Sequence, residues 1–270
     1  MYEKLMVKGV IFLYKPVGLT SSQTLEKVKQ KLGVKTGGYH GTLDANVDGV
    51  LIIAVGKITP VLQFISRQDK EYVGKIKFHK QVTEEQIKTG FEKFTGEIEQ
   101  IPPVKSAVKR VLRKRKIYFF EFLDFKNNVA GFRVKCEAGT YIRKLCYDVG
   151  EFLGVGAQML SLQRTASGDV KIEDCVKIED LQESDLKPKE VLLKNYKKAV
   201  AKNDKIQQIV QGKQIYADFF DEFDKTIKTN ETFTVYDNKN QAISMMEALQ
   251  DFSNSNSFEI VAKIIRNFTN

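Results

Sequence analysis

GGYHGTLDANVDGVLIIAVG, Gly37 to Gly56, is the stretch on which the fold turns. Its second half, Val50 to Val55, is a short, β-branched apolar run bounded by Gly49 and Gly56. That pattern predicts a strand buried on both faces. Its first half places a lone carboxylate, Asp44, in a glycine-flanked loop. A loop that feeds a buried strand is held rigidly at one end. Such a mount suits a reactive group, and it equally suits an ordinary turn in which Asp44 serves the backbone beside Gly41.

Upstream, GVIFLYKP, Gly9 to Pro16, reads as a strand that stops at the proline. Ser21 and Ser22 are candidate caps for a helix with Leu25, Val28 and Leu32 on one face, ending at Gly33. Downstream, Tyr72 to Lys80 alternates as a strand, and Thr83-Glu84-Glu85-Gln86 is a capping box ahead of Ile87, Phe91 and Phe94. Val129 to Ala138 alternates again. Thr140 is placed at the start of a helix that carries Tyr141, Leu145, Val149 and Phe152 on one side. Strands and helices mix without regular βαβ alternation, which predicts an α+β fold around a mixed, largely antiparallel sheet. From Asp174 to Lys189 the chain turns acidic and loses periodicity, as a linker does. Strand-like pieces at Phe233–Tyr236 and Ile260–Ile265 then predict a small β-rich domain. The expected division is 8–189 and 190–270.

The 270 residues carry a net charge of +9. From Tyr196 onward, 10 Lys and Arg cancel 10 Asp and Glu, so the whole excess lies before that point. An anionic partner, nucleic acid first, is expected there. No apolar run is long enough to cross a bilayer, and the N-terminus lacks a secretory h-region, so a cytoplasmic protein without a membrane partner is expected. Three cysteines and two histidines are scattered without ligand spacing. No metal and no cofactor is expected, and the chemistry should rest on carboxylate, Tyr, Lys and Arg.

Each polar candidate has a plain structural alternative. Arg143, in AGTYIRKL, can clamp a carboxylate through both guanidinium arms or simply solvate a helix. Tyr72 can stack on a base or fill the core. Lys15 can contact a phosphate, brace the site or end a strand in water. Seven basic residues fall between Lys105 and Lys116: Lys105, Lys109, Arg110, Arg113, Lys114, Arg115 and Lys116. Interleaved with Val, Leu and Ile, they can track a phosphate backbone, although charge runs are often only solvated faces.

In order and spacing, KPVGLTS (15–21), HGTLDANVDGVLIIAVGKIT (40–59), KEYVGKIKF (70–78), PPVKSAVKR (102–110), CEAGTYIRKLCYDVG (136–150) and LGVGAQMLSLQRTASG (153–168) resemble the TruB family of pseudouridine synthases. The wording is most similar to the dyskerin-type branch, the catalytic subunits of H/ACA guide-RNA particles. Beyond the linker, the stretch from VAKNDKIQQIVQGKQIY through AKIIRNF, 200–268, resembles a PUA domain. The resemblance implies a pseudouridine synthase catalytic domain, a PUA-like RNA-binding domain, guide and substrate RNA as ligands, and small H/ACA accessory proteins as partners. It implies that Asp44 is catalytic, that Tyr72 packs on the target base and helps remove its C5 proton, and that Arg143 pairs with Asp44. Lys15 and Leu162 would line the same site. Relatives usually read GHSGTLDPxxTG. Here Tyr39 stands at the histidine, with His40 displaced by one, Ala45 stands at the proline and Asp48 at the threonine. Tyr39 and His40 are therefore expected at the substrate, with Tyr39 stacking in place of the histidine, and Asp48 sets a second carboxylate close to Asp44. Two alternatives stand beside the guided enzyme: a stand-alone tRNA T-loop synthase, and a noncatalytic RNA-binding scaffold of the same fold.

Overall fold

The computed structural model describes residues 7–102, 109–254 and 259–268. The chain runs β1 (Gly9–Lys15), α1 (Ser21–Leu32), β2 (Gly37–His40), β3 (Val47–Val55), β4 (Lys70–Phe78), α2 (Glu84–Lys93), β5 (Gly96–Gln100), β6 (Arg113–Lys126), β7 (Val129–Cys136), α3 (Ile142–Phe152), β8 (Ala157–Ser167), β9 (Val170–Lys171) and β10 (Val176–Lys177). After these come β11 (Lys197–Ala201), α4 (Ile206–Val210), β12 (Ile215–Tyr216), β13 (Phe220–Phe223), β14 (Thr232–Tyr236), β15 (Ala242–Ala248) and β16 (Ile260–Asn267). The first set forms one sheet of order β10-β1-β3-β8-β4-β7-β6-β5, with β2 on β3 and β9 on β8. Within it only β1–β10 and β3–β8 pair parallel. The expected mixed, largely antiparallel sheet is what forms. A second sheet, β12-β16-β15-β14-β11-β13, closes around its own core of Phe220, Phe233, Phe252 and Met246.

Local signals carry most of this. Val50 to Val55 are fully buried, as the unbroken apolar run requires. Thr83 and Gln86 make the expected reciprocal cap of α2. Gly33 closes α1 in the left-handed conformation, φ 66°. Two caps differ from expectation. The N-cap of α1 is Thr20, boxed with Gln23, because Ser21 is turned inward. Its Oγ accepts from Leu43 N at 2.8 Å and donates to Leu43 O at 3.1 Å. Likewise Thr140 spends its hydroxyl on the Glu137 carbonyl at 2.7 Å, so α3 starts two residues later at Ile142, with no side-chain cap. Phe152 is not on the buried face of α3. It remains 47% exposed, edge-on to Phe94.

The acidic stretch expected to be a linker lies along the first sheet. β10 extends it beside β1, and Val10 and Lys187 exchange two backbone hydrogen bonds of 2.8 Å. A third core, with Val10, Ile52, Val61 and Leu193 on one side and Tyr236, Ala242 and Met245 on the other, joins the two sheets. Among the described residues, no helix is long and apolar enough to cross a membrane.

Candidate active site

The loop between β2 and β3 is strapped from several directions, and each strap is a residue of the first 21 or of β8. Gly18 N donates to Ala45 O at 2.7 Å, and Ser21 grips both backbone atoms of Leu43. Lys15, fully buried, donates through Nζ to Val47 O at 2.7 Å and Pro16 O at 2.9 Å. It therefore braces the loop, and its burial removes it from contact with a phosphate. Leu43 and Val47 sit in the core of the first sheet with Tyr72, Leu162 and Ile142. Between these anchors Asp44 points outward.

Arg143 Nη2 donates to Asp44 Oδ2 across 99 residues of sequence. The side chains keep 55% and 52% exposure, so the pair is open to a ligand. Its position on the first turn of α3 is what brings Arg143 to the loop. Tyr72, 9% exposed, faces the core from β4, between Val134 of β7 and Arg164 of β8. Burial pushes its phenol up, and the Arg164 guanidinium opposes that shift. Leu162, buried on β8, lies across from Val47 and Gly74.

Arg164 is the largest fully buried side chain and carries no expectation from the sequence. It belongs to a fork in the sheet. β3 pairs β8 from Val47 to Gly49, then leaves it and pairs β2 from Ile52 to Val55. Val50 falls in the gap, and Arg164 Nε supplies its carbonyl with a hydrogen bond of 2.7 Å. Nη2 donates to Gly41 O at 2.8 Å. One guanidinium thus ties the start of the Asp44 loop to β3. The signal was present: an arginine inside the alternating run SLQRTAS, at the parity of the buried Leu162.

Tyr39 and His40 part company because successive strand residues point oppositely. The Tyr39 ring packs with Leu25, Val28 and Ile53 against α1, and its hydroxyl shares a 3.0 Å hydrogen bond with Ser22 Oγ. That engagement ties the half-buried ring to α1. His40 Nε2 lies 3.4 Å from Lys70 Nζ. Burial, then the charges of Lys70 and Arg164, hold the imidazole down to about 4. Unfolded, it takes a proton below about 6.5, whereas folded it resists until about 4. Stability is therefore complete above pH 6.5 and falls as the pH drops toward 4, by up to about 3 kcal/mol from this group. Urea melts from pH 7 to 4.5 should show the loss, and His40→Asn should flatten it. The second carboxylate, Asp48, is occupied by Tyr14 Oη and by Gln163 Nε2, the latter at 3.0 Å.

The basic run splits by strand parity. Lys105 lies outside the described residues. Lys109 and Arg110 are exposed ahead of β6. On β6, Lys114 and Lys116 share a face with Glu97 and Glu99 of β5, and Lys114 pairs with Glu97 at 2.8 Å. Arg113 and Arg115 take the opposite face, beside Ile98 and Gln100. Their Nε atoms are shielded and without hydrogen-bond partners. Lys109, Arg110, Lys114 and Lys116 are exposed, while Arg113 and Arg115 are half-buried. Among the described residues, no cluster of His, Cys, Asp and Glu could hold a metal. Two open clefts lie on the second sheet, one of about 690 Å³ lined by Lys205, Gln208, Lys213, Gln214, Tyr216, Asp218 and Phe219. The other, about 510 Å³, includes Lys197, Lys198 and Asp224.

Known proteins share this architecture. The family model described as TruB family pseudouridylate synthase (N terminal domain) matches residues 29–142. The model described as tRNA pseudouridylate synthase B C-terminal domain matches 143–201. A protein of Methanocaldococcus jannaschii named probable tRNA pseudouridine synthase B is 39% identical over 92% of this chain and 79% of its own length. Its namesake from Thermoplasma acidophilum is 37% identical over 88% and 69%. A chain solved in a Cbf5-Nop10-Gar1 complex superposes with a TM-score of 0.88 at 31% identity, covering 98% of this chain and 86% of that one. One solved in an H/ACA RNP bound to a substrate RNA containing 2'-deoxyuridine gives 0.86 at 29% identity, covering 98% and 86%.

Proposed function

The chain belongs to the TruB family of pseudouridine synthases, and from that premise we propose that it isomerises uridine in RNA at Asp44, as the catalytic subunit of an H/ACA guide-RNA particle acting on ribosomal RNA. The observation that carries the reading is the half-exposed Asp44 carboxylate, paired with Arg143 on a loop clamped from below. The isomerisation breaks the C1′–N1 bond, turns the uracil and rejoins it through C5. Positive character develops at the sugar, as in glycoside chemistry, and one carboxylate suffices to meet it. Attack at C1′, attack on the base and removal of a sugar proton all need that carboxylate aimed, and Arg143 aims it. The target nucleotide must leave its stack, at a cost of about a few kcal/mol, and phosphate contacts along the basic run, from Lys109 and Arg110 through Arg113, Lys114, Arg115 and Lys116, offset it.

Residues 8–189 are assigned to the catalytic unit and 190–270 to a PUA-like RNA-binding unit. Support for the second comes from its separate six-stranded sheet and core. Guide RNA and small accessory proteins are the partners, in keeping with similar chains solved in a Cbf5-Nop10-Gar1 complex and in an H/ACA RNP bound to a substrate RNA. A second reading, a stand-alone tRNA enzyme, is favoured by the names of the curated relatives. Purified full-length chain should be incubated with tRNA alone, and with guide RNA, accessory proteins and a complementary uridine target. Conversion only in the guided mixture is expected. Equal conversion of unguided tRNA overturns guidance in favour of the stand-alone enzyme, and no conversion in either mixture overturns the activity.

A further inference from the structure

Among the described residues, the buried charged side chains are Lys15, Lys70 and Arg164, and no carboxylate is buried with them. Taking cations out of water is costly unless hydrogen bonds and a use for the field compensate. Lys15 and Arg164 have their carbonyls. Lys70 Nζ donates to Gln68 O and faces His40. The charged and titratable groups around it are Arg164 from β8, Cys136 from β7, His40 from β2, and the adjacent Asp69. Asp69 is also engaged by Tyr118 Oη at 3.0 Å. Tyr72 stands two residues along β4 from Lys70, hence on the same face, and directly across from Arg164. Arg164 therefore acts directly on the one aromatic ring assigned to the substrate base, and Lys70 lies buried on the same face beside it, its Nζ turned to Gln68 O and His40.

Resting on the proposed isomerase activity, we propose that Lys70 and Arg164 are positioning residues of the isomerisation: their buried charge, set behind Tyr72 and the Asp44 loop, stabilises the anion that uracil becomes on leaving the ribose. When C1′–N1 breaks, the bonding pair departs with the base and spreads over O2 and O4. C5 then bonds to C1′ with a pair from the ring, C5 yields its proton to a base, and N1 takes one up. Atoms and charge balance with no oxidant or reductant. Fixed cations around a water-poor site stabilise such an anion more than water does, because they need no reorganisation.

Lys70→Met and Lys70→Arg in the full chain test this, with a uridine RNA that the parent converts. Lys70→Met should lower kcat about tenfold or more and change the RNA KM by less than about threefold. Lys70→Arg should keep kcat within about threefold of the parent. Burial, then the Arg164 charge, hold Lys70 down to about 8. The parent's kcat/KM should thus fall as pH rises through that value and the ammonium is lost. Lys70→Arg stays charged, so its alkaline limb should move upward. A merely structural lysine would leave the limb in place. Unchanged kcat in a folded Lys70→Met, or coincident limbs for parent and Lys70→Arg, overturns the inference. Thermal melts identify a Lys70→Met that fails to fold, and the Lys70→Arg profile then decides. A parent that converts no uridine overturns instead the reading of function beneath it.

Discussion

Asp44→Asn should lower pseudouridine formation about 10³-fold or more while leaving the fold and RNA affinity intact. Asparagine keeps the size of the side chain and an oxygen that Arg143 can donate to, but not the charge. The stability cost is small because the Asp44–Arg143 pair is half exposed at both ends. Such surface pairs contribute about 0–1 kcal/mol. The loop itself is held by Lys15, Ser21, Gly18 and Arg164, none of which touches the Asp44 carboxylate. Single-turnover conversion, RNA binding and a melt on the same preparation separate these effects. Conversion at the parent's rate would show that the carboxylate is not the reacting group. A loss of affinity matching the loss of rate would make Asp44 a binding residue only.

Gly49→Ala should damage the molecule through its backbone. Gly49 has φ 108°, a region L side chains rarely adopt, and an added Cβ would lie 2.2 Å from Arg164 O and 2.7 Å from Arg164 N. Those atoms are main chain and cannot swing aside. Nor can β3 retreat, since its other edge is paired to β1, Gly49 against Lys15. The expected cost is about 3 kcal/mol or more, read as a lowered urea midpoint. Because the contact lies at the fork, any relief pries β3 from β8 and moves Arg164 and the Asp44 loop with it. Uridine conversion should fall as well. Gly18→Ala is the matched control. Gly18 has φ 93°, and a Cβ added there would meet no atom within 4 Å, so only the conformational cost of about 1 kcal/mol applies. Equal effects of the two substitutions would show that β3 and β8 are not held this closely.

These two sites differ in how far they could be read beforehand. The Asp44 loop and the buried strand after it stand out in GGYHGTLDANVDGVLIIAVG because glycine spacing and an apolar run act within a few residues. The Thr83–Gln86 cap and the Gly33 stop were equally legible, being contacts of three or four positions. Ser21 and Thr140 misled for the opposite reason. Each looked like a local cap, and each hydroxyl had a different use: a strand-loop backbone 22 residues away for Ser21, and the preceding turn for Thr140. The basic run showed its charge but not its division. Only the pairing of β5 with β6 sets Glu97 and Glu99 against the lysines and leaves the arginines on the other face.

The sequence by itself determined the strand and helix periods, the basic first half, the neutral tail and, through its motifs, the family. Tertiary structure alone decided that Tyr39 packs half-buried against α1, that Lys15 braces the Asp44 loop, and that Arg164 fills the fork below Asp44. The physical reason is range. Periodicity and capping are settled between neighbours on the chain, whereas Arg164 meets Gly41 across 123 residues and Arg143 meets Asp44 across 99. Such meetings exist only after the sheet has fixed which strands lie side by side.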